Sequence, residues 1–285
     1  MSWSRIKKAH FDLFNSLNDD EVLQESWTNF VNEVNQHPTP YHIKLLLDKL
    51  QALDKNRNEI KILDHGCGMA LSLLYLVAIG YTNVFGVDVE KENSCECWNK
   101  LTSDILGYDE KRFFDYDGTR IPLDKNTIDF IFSQQVLEHV NPSVFDSYFS
   151  EEVRVMKRGG TFVHQIPHRL VPYESHTRTW LLHCILPLRF WWKFIALYDN
   201  KSMYLKGVLF LRWPNDYKKK IFGHFGNYQL ATEQRFRAVS NFEYYDGPVR
   251  LRRLVALFPK IPLVGTFLVR IISQFIMMEI IGEKK

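Results

Sequence analysis

Cysteine is scarce in this sequence: Cys67, Cys95, Cys97 and Cys184 are the only four in 285 residues. So few cannot supply a disulfide framework, and Cys95-Glu96-Cys97 has the wrong spacing for a zinc knuckle or a redox Cys-x-x-Cys pair. They read as packing residues of a protein kept in a reducing compartment. The N-terminus, Ser2 to His10, lacks an apolar run long enough for a signal-peptide core, which predicts a cytoplasmic protein. Internal repeats and low-complexity tracts are absent. With 46% apolar residues, 24% charged residues, 14 Gly and 11 Pro, the composition excludes disorder and collagen-like repetition. A chain this long can bury a sizeable core without metals or disulfides.

Net charge is also small, +3, too little to argue for a nucleic-acid binder. It is unevenly placed. Residues 200–285 hold 15 Lys/Arg against 6 Asp/Glu, a net +9, which leaves −6 on residues 1–199. An acidic N-terminal two-thirds is therefore joined to a basic, hydrophobic C-terminal third.

Residues 1–58 carry apolar side chains at helical spacing, in Phe11, Leu13, Phe14 and Leu17 and again in Ile43, Leu46, Leu47 and Leu50, broken at Pro38-Thr39-Pro40. Ile60 to Asp64 reads as a strand stopping at His65-Gly66-Cys67-Gly68, followed by a helix pattern from Met69 to Ile79 and a second strand, Val84 to Asp88. Strand, glycine turn, helix and strand in so short a span is a βαβ unit with parallel strands. Further strands are expected over Arg112–Tyr116, Ile128–Ser133 and Thr161–Ile166, and a helix over Glu151–Arg158 stopping at Gly159-Gly160. The division that follows is 1–58 helical segment, 59–167 core, 168–223 aromatic-rich cap, 224–248 return to the core and 249–285 apolar, basic C-terminal segment. Within the return, a helix is expected at Thr232–Arg237 and a strand at Asn241–Tyr245.

A glycine turn after a first strand lets a ligand approach the backbone, and an acidic residue ending the second strand can accept hydrogen bonds from both hydroxyls of a ribose. Gly66, Gly68 and Asp88 supply those parts, but Leu71 stands where a dinucleotide fingerprint needs its third glycine. Leu63-Asp64-His65-Gly66-Cys67-Gly68 instead resembles the first motif of class I S-adenosylmethionine-dependent methyltransferases. The series continues at that family's spacing: Asp88, Asp117-Gly118, Asp129 to Ser133 leading into Val136-Leu137-Glu138-His139-Val140, then Met156 to Val163. The resemblance covers roughly residues 58–167. Ala70 departs from it, since many members carry glycine there.

The resemblance implies a Rossmann-like α/β fold, a doubly wound, mainly parallel seven-stranded sheet in three α/β/α layers, with S-adenosyl-L-methionine as cofactor. Carried over by position, Asp64, His65 and the Gly66–Gly68 backbone would face the methionine part, Asp88 the ribose, Asp117 and Gly118 the adenine, and Ser133 and Gln134 the sulfonium. A divalent metal is not expected: Gln135-Val136-Leu137-Glu138-His139 resembles the E-x-x-E-H element of some metal-holding O-methyltransferases, but Gln135 is a poor ligand for a hard cation.

For an acceptor hydroxyl that must lose a proton, the candidates are His168, Glu174 and His176, in the segment leaving the fifth strand. The structural alternative is a polar loop that satisfies its own backbone. Trp191-Trp192 and Trp213 either line an acceptor pocket or fill a lid. Residues 261–281 hold five polar side chains, Thr266, Arg270, Ser273, Gln274 and Glu279, which predicts a helix apolar apart from one narrow stripe; Arg270 argues against a span. With Arg250, Arg252, Arg253 and Lys260 upstream, peripheral membrane contact through 249–281 is expected, core or dimer packing being the alternative.

The leading reading is thus O-methylation of a hydrophobic or lipid-linked small molecule or glycan. The alternatives are a methyltransferase for a soluble small molecule and a non-catalytic cofactor-binding subunit. Nucleic acid is the least favoured partner, because the basic residues are mixed with apolar ones and no N-P-P-Y type motif is present.

Overall fold

The computed structural model describes residues 2–89, 94–240 and 265–285. Three helices come first: α1 (Ser2–Asn15), α2 (Asp20–Gln36) and α3 (Tyr41–Gln51). Asp19 starts α2 as its N-cap, its side chain accepting from the Glu21 and Val22 amides. Pro40 starts α3, where the fixed φ of proline suits a helix entry. The buried faces of all three, including Ile6, Leu13, Phe30, Ile43 and Leu46, share one core with residues of α4 and α5 below.

The sheet has seven strands in the order β3-β2-β1-β4-β5-β9-β8. Strands β1 (Ile62–His65), β2 (Val84–Asp88), β3 (Phe113–Asp115), β4 (Ile128–Gln134) and β5 (Met156–Ile166) are parallel, linked by α4 (Leu71–Ala78), α5 (Ser94–Leu106) and α6 (Phe145–Val155). β9 (Met278–Glu283) runs antiparallel to β5, and the short β8 (Gln229–Leu230) pairs with β9. The chain reverses its winding between β1 and β4, where an open α/β sheet places its ligand crevice. The inner strands are apolar on both sides because both faces are covered: Phe130 and Phe132 pack into one core, Leu63, Ile131 and Phe162 into another.

Two sequence expectations change. The helix expected over Glu151–Arg158 ends at Val155, and Met156 to Gly160 already belong to β5. Ile128 lies opposite Met156 but Phe130 opposite Thr161, so β5 bulges in between, with Gly159 at φ +74°. There Lys157 Nζ donates to both oxygens of the buried Asp129 at 2.9 Å, and a lysine committed to a buried carboxylate does not cap a helix. The apolar helix expected over 261–281 is, in its described part, α11 (Gly265–Ile272), one short 3-10 turn and then β9. Met278 to Ile281 are therefore buried in the sheet and closed to any membrane. The strand expected at 241–245 and the basic residues at 250–260 lie outside the described residues. A helix, α10 (Thr232–Ser240), does follow β8. Among the described residues no helix is long and apolar enough to cross a membrane.

Between β5 and β8 the aromatic segment folds as a cap. A two-stranded hairpin, β6 (Tyr173–Glu174) with β7 (Thr179–Trp180), leads to α7 (Leu182–Ile185), α8 (Leu188–Tyr198) and a 3-10 segment, Asn200–Gly207. The cap has its own core of Trp191, Trp192, Ile195, Leu205, Leu209 and Leu211, so this tryptophan pair is packing. α9 (Pro214–Phe225) then returns beside α6.

Candidate functional site

The glycine turn after β1 is set by close approach. Gly66 has φ +96°, and a Cβ there would stand 2.4 Å from Val136, so only glycine lets β1 and the segment after β4 meet. Gly68, at φ +45°, faces open space. Ala70 opens α4 at φ +55°, the left-handed conformation that a glycine would hold without strain. Asp88, at the end of β2, accepts from the Gly68 amide at 2.6 Å and from Val89 at 2.7 Å. From the N-terminal helices, His10 Nε2 reaches the Met69 carbonyl at 2.8 Å and so ties α1 to the same turn.

A cavity of about 840 Å³ opens over this turn. Gly66, Gly68, Asp88, Asp117, Gly118 and Gln134 line it, bringing together residues from the ends of four strands. Asp117 accepts from the Thr119 and Arg120 amides, which holds its carboxyl below the usual range and fixes the turn. Gln134 accepts from Ser72 Oγ at 2.6 Å, while its Nε2 is buried with no partner at the cavity wall.

Asp64, His65 and Ser133 are not in the lining. They lie one layer behind it, through Tyr116 and Tyr148, which are. Tyr148 donates to the His65 carbonyl at 3.0 Å and to Ser133 Oγ at 2.8 Å, and its ring stacks on His65 at 3.7 Å. His65 meets the Tyr116 hydroxyl through Nε2 and donates from Nδ1 to Glu152 at 2.9 Å. His164 Nε2 stands 3.2 Å from the other Glu152 oxygen, a contact of charge rather than an aligned hydrogen bond. Burial opposes ionisation of Glu152, but the two imidazoles override it and hold the carboxyl at about 2. Asp64 is the opposite case: burial first, and then the charge of Asp88, push its carboxyl well up, and one of its oxygens has no hydrogen-bond partner.

These features fit a cofactor with a cationic amino-acid end. The unpartnered amide donor of Gln134 at the cavity wall matches the carboxylate of such an end. Open backbone at Gly68 and the acidic ends of β2 and β3 suit a nucleoside, with no cationic side chain in the lining to take a pyrophosphate.

The cavity lining also holds Val136, Val140, Val144 and Val208, the polar Gln135, Asn141 and Ser143, and one imidazole, His139. His139 Nδ1 donates to the Val208 carbonyl at 2.8 Å, so in the neutral ring Nε2 carries the lone pair. Burial lowers its pKa below the ordinary histidine value. The His176 ring meets it edge-on at 4.9 Å, and His176 Nδ1 donates to Glu174 at 2.7 Å. Burial would raise Glu174, but hydrogen bonds from His176 and Thr177 override it and hold the carboxyl at about 2, which in turn raises His176. Glu138, fully buried, has both carboxylate oxygens unpartnered, one of them 4.0 Å from His139 Nε2; burial pushes it up to about 8.

Glu174 and His176 thus stand behind His139. His168 does not join them. Its Nε2 donates to the Ile276 carbonyl at 2.9 Å, its Nδ1 accepts from the Leu170 amide, and burial lowers it to about 4. It borders a separate hollow with Lys218 and Gln274, so β9 and the turn before it claim the ring. Sequence reasoning meets His139 in the Val136–Val140 element of the resemblance and in a metal-ligand pattern, not as a base. The signal available is its place five residues beyond a strand end, next to an acid. Among the described residues no three His, Cys, Asp or Glu side chains group as a metal site.

The sequence model of a family described as "Methyltransferase domain" matches residues 63–164, a little over a third of the chain. Curated protein sequences give no significant match. Among solved structures, the chain is similar to phosphoethanolamine N-methyltransferase 2 from Haemonchus contortus at 15% identity and TM-score 0.48, over 86% of this chain and 54% of that one. It therefore spans about half the length of that relative. A geranyl diphosphate C-methyltransferase from Streptomyces coelicolor matches at 12% identity and TM-score 0.49, over 93% and 84% of the two chains. An S-adenosylmethionine-dependent methyltransferase from Mesorhizobium loti matches at 16% and 0.48, over 83% and 96%. The matched domain runs from the strand before the glycine turn through the Leu137–Val140 segment to His164, so residues 63–164 are similar to a methyltransferase domain.

Proposed function

We propose that this protein transfers a methyl group to a hydroxyl of a hydrophobic small molecule, including lipid-linked ones, with His139 as the base. The observation that carries the reading is one cavity whose lining holds both the glycine turn with its acidic strand ends and an imidazole whose Nδ1–H is fixed on the Val208 carbonyl. When bound, S-adenosylmethionine supplies a methyl group on a sulfonium for in-line transfer. Gln134, Asp88 and Asp117 would orient it, Gln134 through the amide donor that lacks a partner. Val136, Val140, Val144 and Val208 exclude water around the acceptor and favour an apolar body.

An alcohol or phenol attacks well only as it loses its proton. His139 Nε2 takes that proton; the lowered pKa keeps the ring neutral and ready at neutral pH. The charge of Glu174, which counters that of His176 at this ring, answers the positive charge that His139 acquires.

The test is transfer of labelled methyl from S-adenosylmethionine to a panel of phenolic and polyprenyl-type hydroxyl acceptors, with His139→Gln alongside the natural protein. General-base loss predicts a fall of about 10²–10⁴-fold in kcat, with cofactor affinity unchanged. The acidic limb of the kcat/KM profile, set below the ordinary histidine value, should vanish in the variant. Unchanged kcat in His139→Gln would overturn the assignment.

A further inference from the structure

A helix that covers a core ordinarily turns polar side chains outward. α8 does not. Trp191, Trp192 and Ile195 face the core of the cap, yet Phe190, Phe194 and Leu197, at i, i+4 and i+7, form an outward stripe with Tyr198 beside it, all exposed. Leu197 is 90% exposed, Ile185 just before the helix 73%, and Tyr204 in the following 3-10 segment 74%. The rings of Phe194 and Tyr198 stack at 5.5 Å and 13°. Side chains that stand so far from the surface make a ridge, which inserts into a fluid layer and offers no groove for a peptide.

The ridge has a charged margin. Arg189 and Lys193 follow one edge of the stripe, their cationic groups 4.7 and 5.7 Å from the Phe190 ring. Lys201 and Lys206 come next in the chain. Between residues 182 and 210 there are four Lys/Arg and one acid, Asp199, which accepts from Ser202 at 2.6 Å. Apolar and aromatic side chains in the middle with cations along the edge match a bilayer whose headgroups are anionic.

We propose that the outer face of α8 docks the protein on an anionic membrane surface. The 3-10 segment that follows α8 ends at Gly207, and the next residue, Val208, both lines the cavity and holds His139. The docking itself rests on exposure and charge, not on methyl transfer, and is read without cofactor or turnover.

The experiment is flotation of the full chain with vesicles of equal parts phosphatidylcholine and phosphatidylglycerol, and with phosphatidylcholine alone. The natural protein should float with the anionic vesicles and bind phosphatidylcholine, or anionic vesicles at high salt, roughly tenfold more weakly. Phe194→Asp/Leu197→Asp and, separately, Arg189→Glu/Lys193→Glu should each lower binding to anionic vesicles by about tenfold or more, with the melting temperature unchanged. Absence of binding by the natural protein would overturn the proposal. So would equal binding by Phe194→Asp/Leu197→Asp, which would put the contact elsewhere in the chain. A dimer in gel filtration that the same substitutions disperse would assign the face to a second copy instead.

Discussion

At the scale of single residues, the site depends on carboxyl groups held away from their ordinary protonation. Glu138 is buried without hydrogen-bond partners and keeps its proton up to about 8, against an ordinary value of 4.5. The folded state therefore binds one more proton than the unfolded chain between those values. This contribution to stability is fully present below about 4.5 and is lost as pH rises through about 8. Glu138→Gln, which cannot ionise, should be less sensitive to alkali than the natural protein, by on the order of a few kcal/mol between the two ends of the window. Urea midpoints for both proteins at mildly acid and mildly alkaline pH measure this difference; parallel curves would mean that Glu138 finds a partner when charged. His10 and His168, lowered to about 4 by burial, act in the opposite sense at acid pH in both proteins and cancel in the comparison.

The same residue scale shows why the catalytic candidates were only partly readable. Glu174 and His176 sit two apart in a loop, and their hydrogen bond is local, so sequence spacing alone brings them together. What brings them to His139 is the cap folding back over the segment after β4, and its anchors are distant in sequence: the Val208 carbonyl on His139, and Arg212 donating to the Leu137 and Val140 carbonyls. His168 shares the loop but is held by Ile276, a contact across 108 residues that no local pattern reports.

At the scale of elements, the turn between β1 and α4 is where sequence and geometry agree most closely, since Gly66 and Gly68 both adopt positive φ. Gly66→Ala meets Val136 at 2.4 Å and adds backbone strain, and should cost about 1–3 kcal/mol together with most of the cofactor affinity. Adding Val136→Ala removes the two methyl groups that clash, so the double variant should recover part of the stability, with a coupling of about 0.5–3 kcal/mol. Thermal melts of the four-member cycle measure it; strict additivity would show that the close approach is not what requires glycine. The helix expected to continue beyond Val155 failed because Lys157 is committed to the buried Asp129, and the apolar helix expected at the C-terminus failed for a different reason. A strand buried on both faces is a continuous apolar run, and periodicity cannot separate it from a buried helix. Met278 to Ile281 is such a run, and Glu279 within it reads as an interruption until its partners, Tyr41 and Arg235, are seen.

At the scale of the whole molecule, the C-terminal strand closes the architecture. β9 pairs with β5 on one side and β8 on the other, and its Glu279 accepts from Tyr41 in α3 and Arg235 in α10. Deleting residues 278–285 removes a strand inside the sheet and leaves the β5 edge unpaired. Such a chain should lose its cooperative melting transition or precipitate, whereas an appended tail could be removed with little change. Circular dichroism and melting of the truncated protein distinguish the two. The first three strands of the parallel half were readable because each ends on or beside a glycine or an acid: Gly66, Asp88 and Asp115. The antiparallel half, assembled from 229–230 and 278–283 across a long stretch of chain, was not.

The central claim is that the cavity over the glycine turn is an S-adenosylmethionine site, and calorimetric titration of the purified protein with that cofactor tests it most directly. The account predicts micromolar binding to the natural protein and a loss of roughly tenfold to a hundredfold in Asp88→Ala, as expected for hydrogen bonds to a charged group. Asp88→Asn, which keeps the shape of the side chain, should fall in between. A natural protein that melts cooperatively yet binds no S-adenosylmethionine would contradict the account.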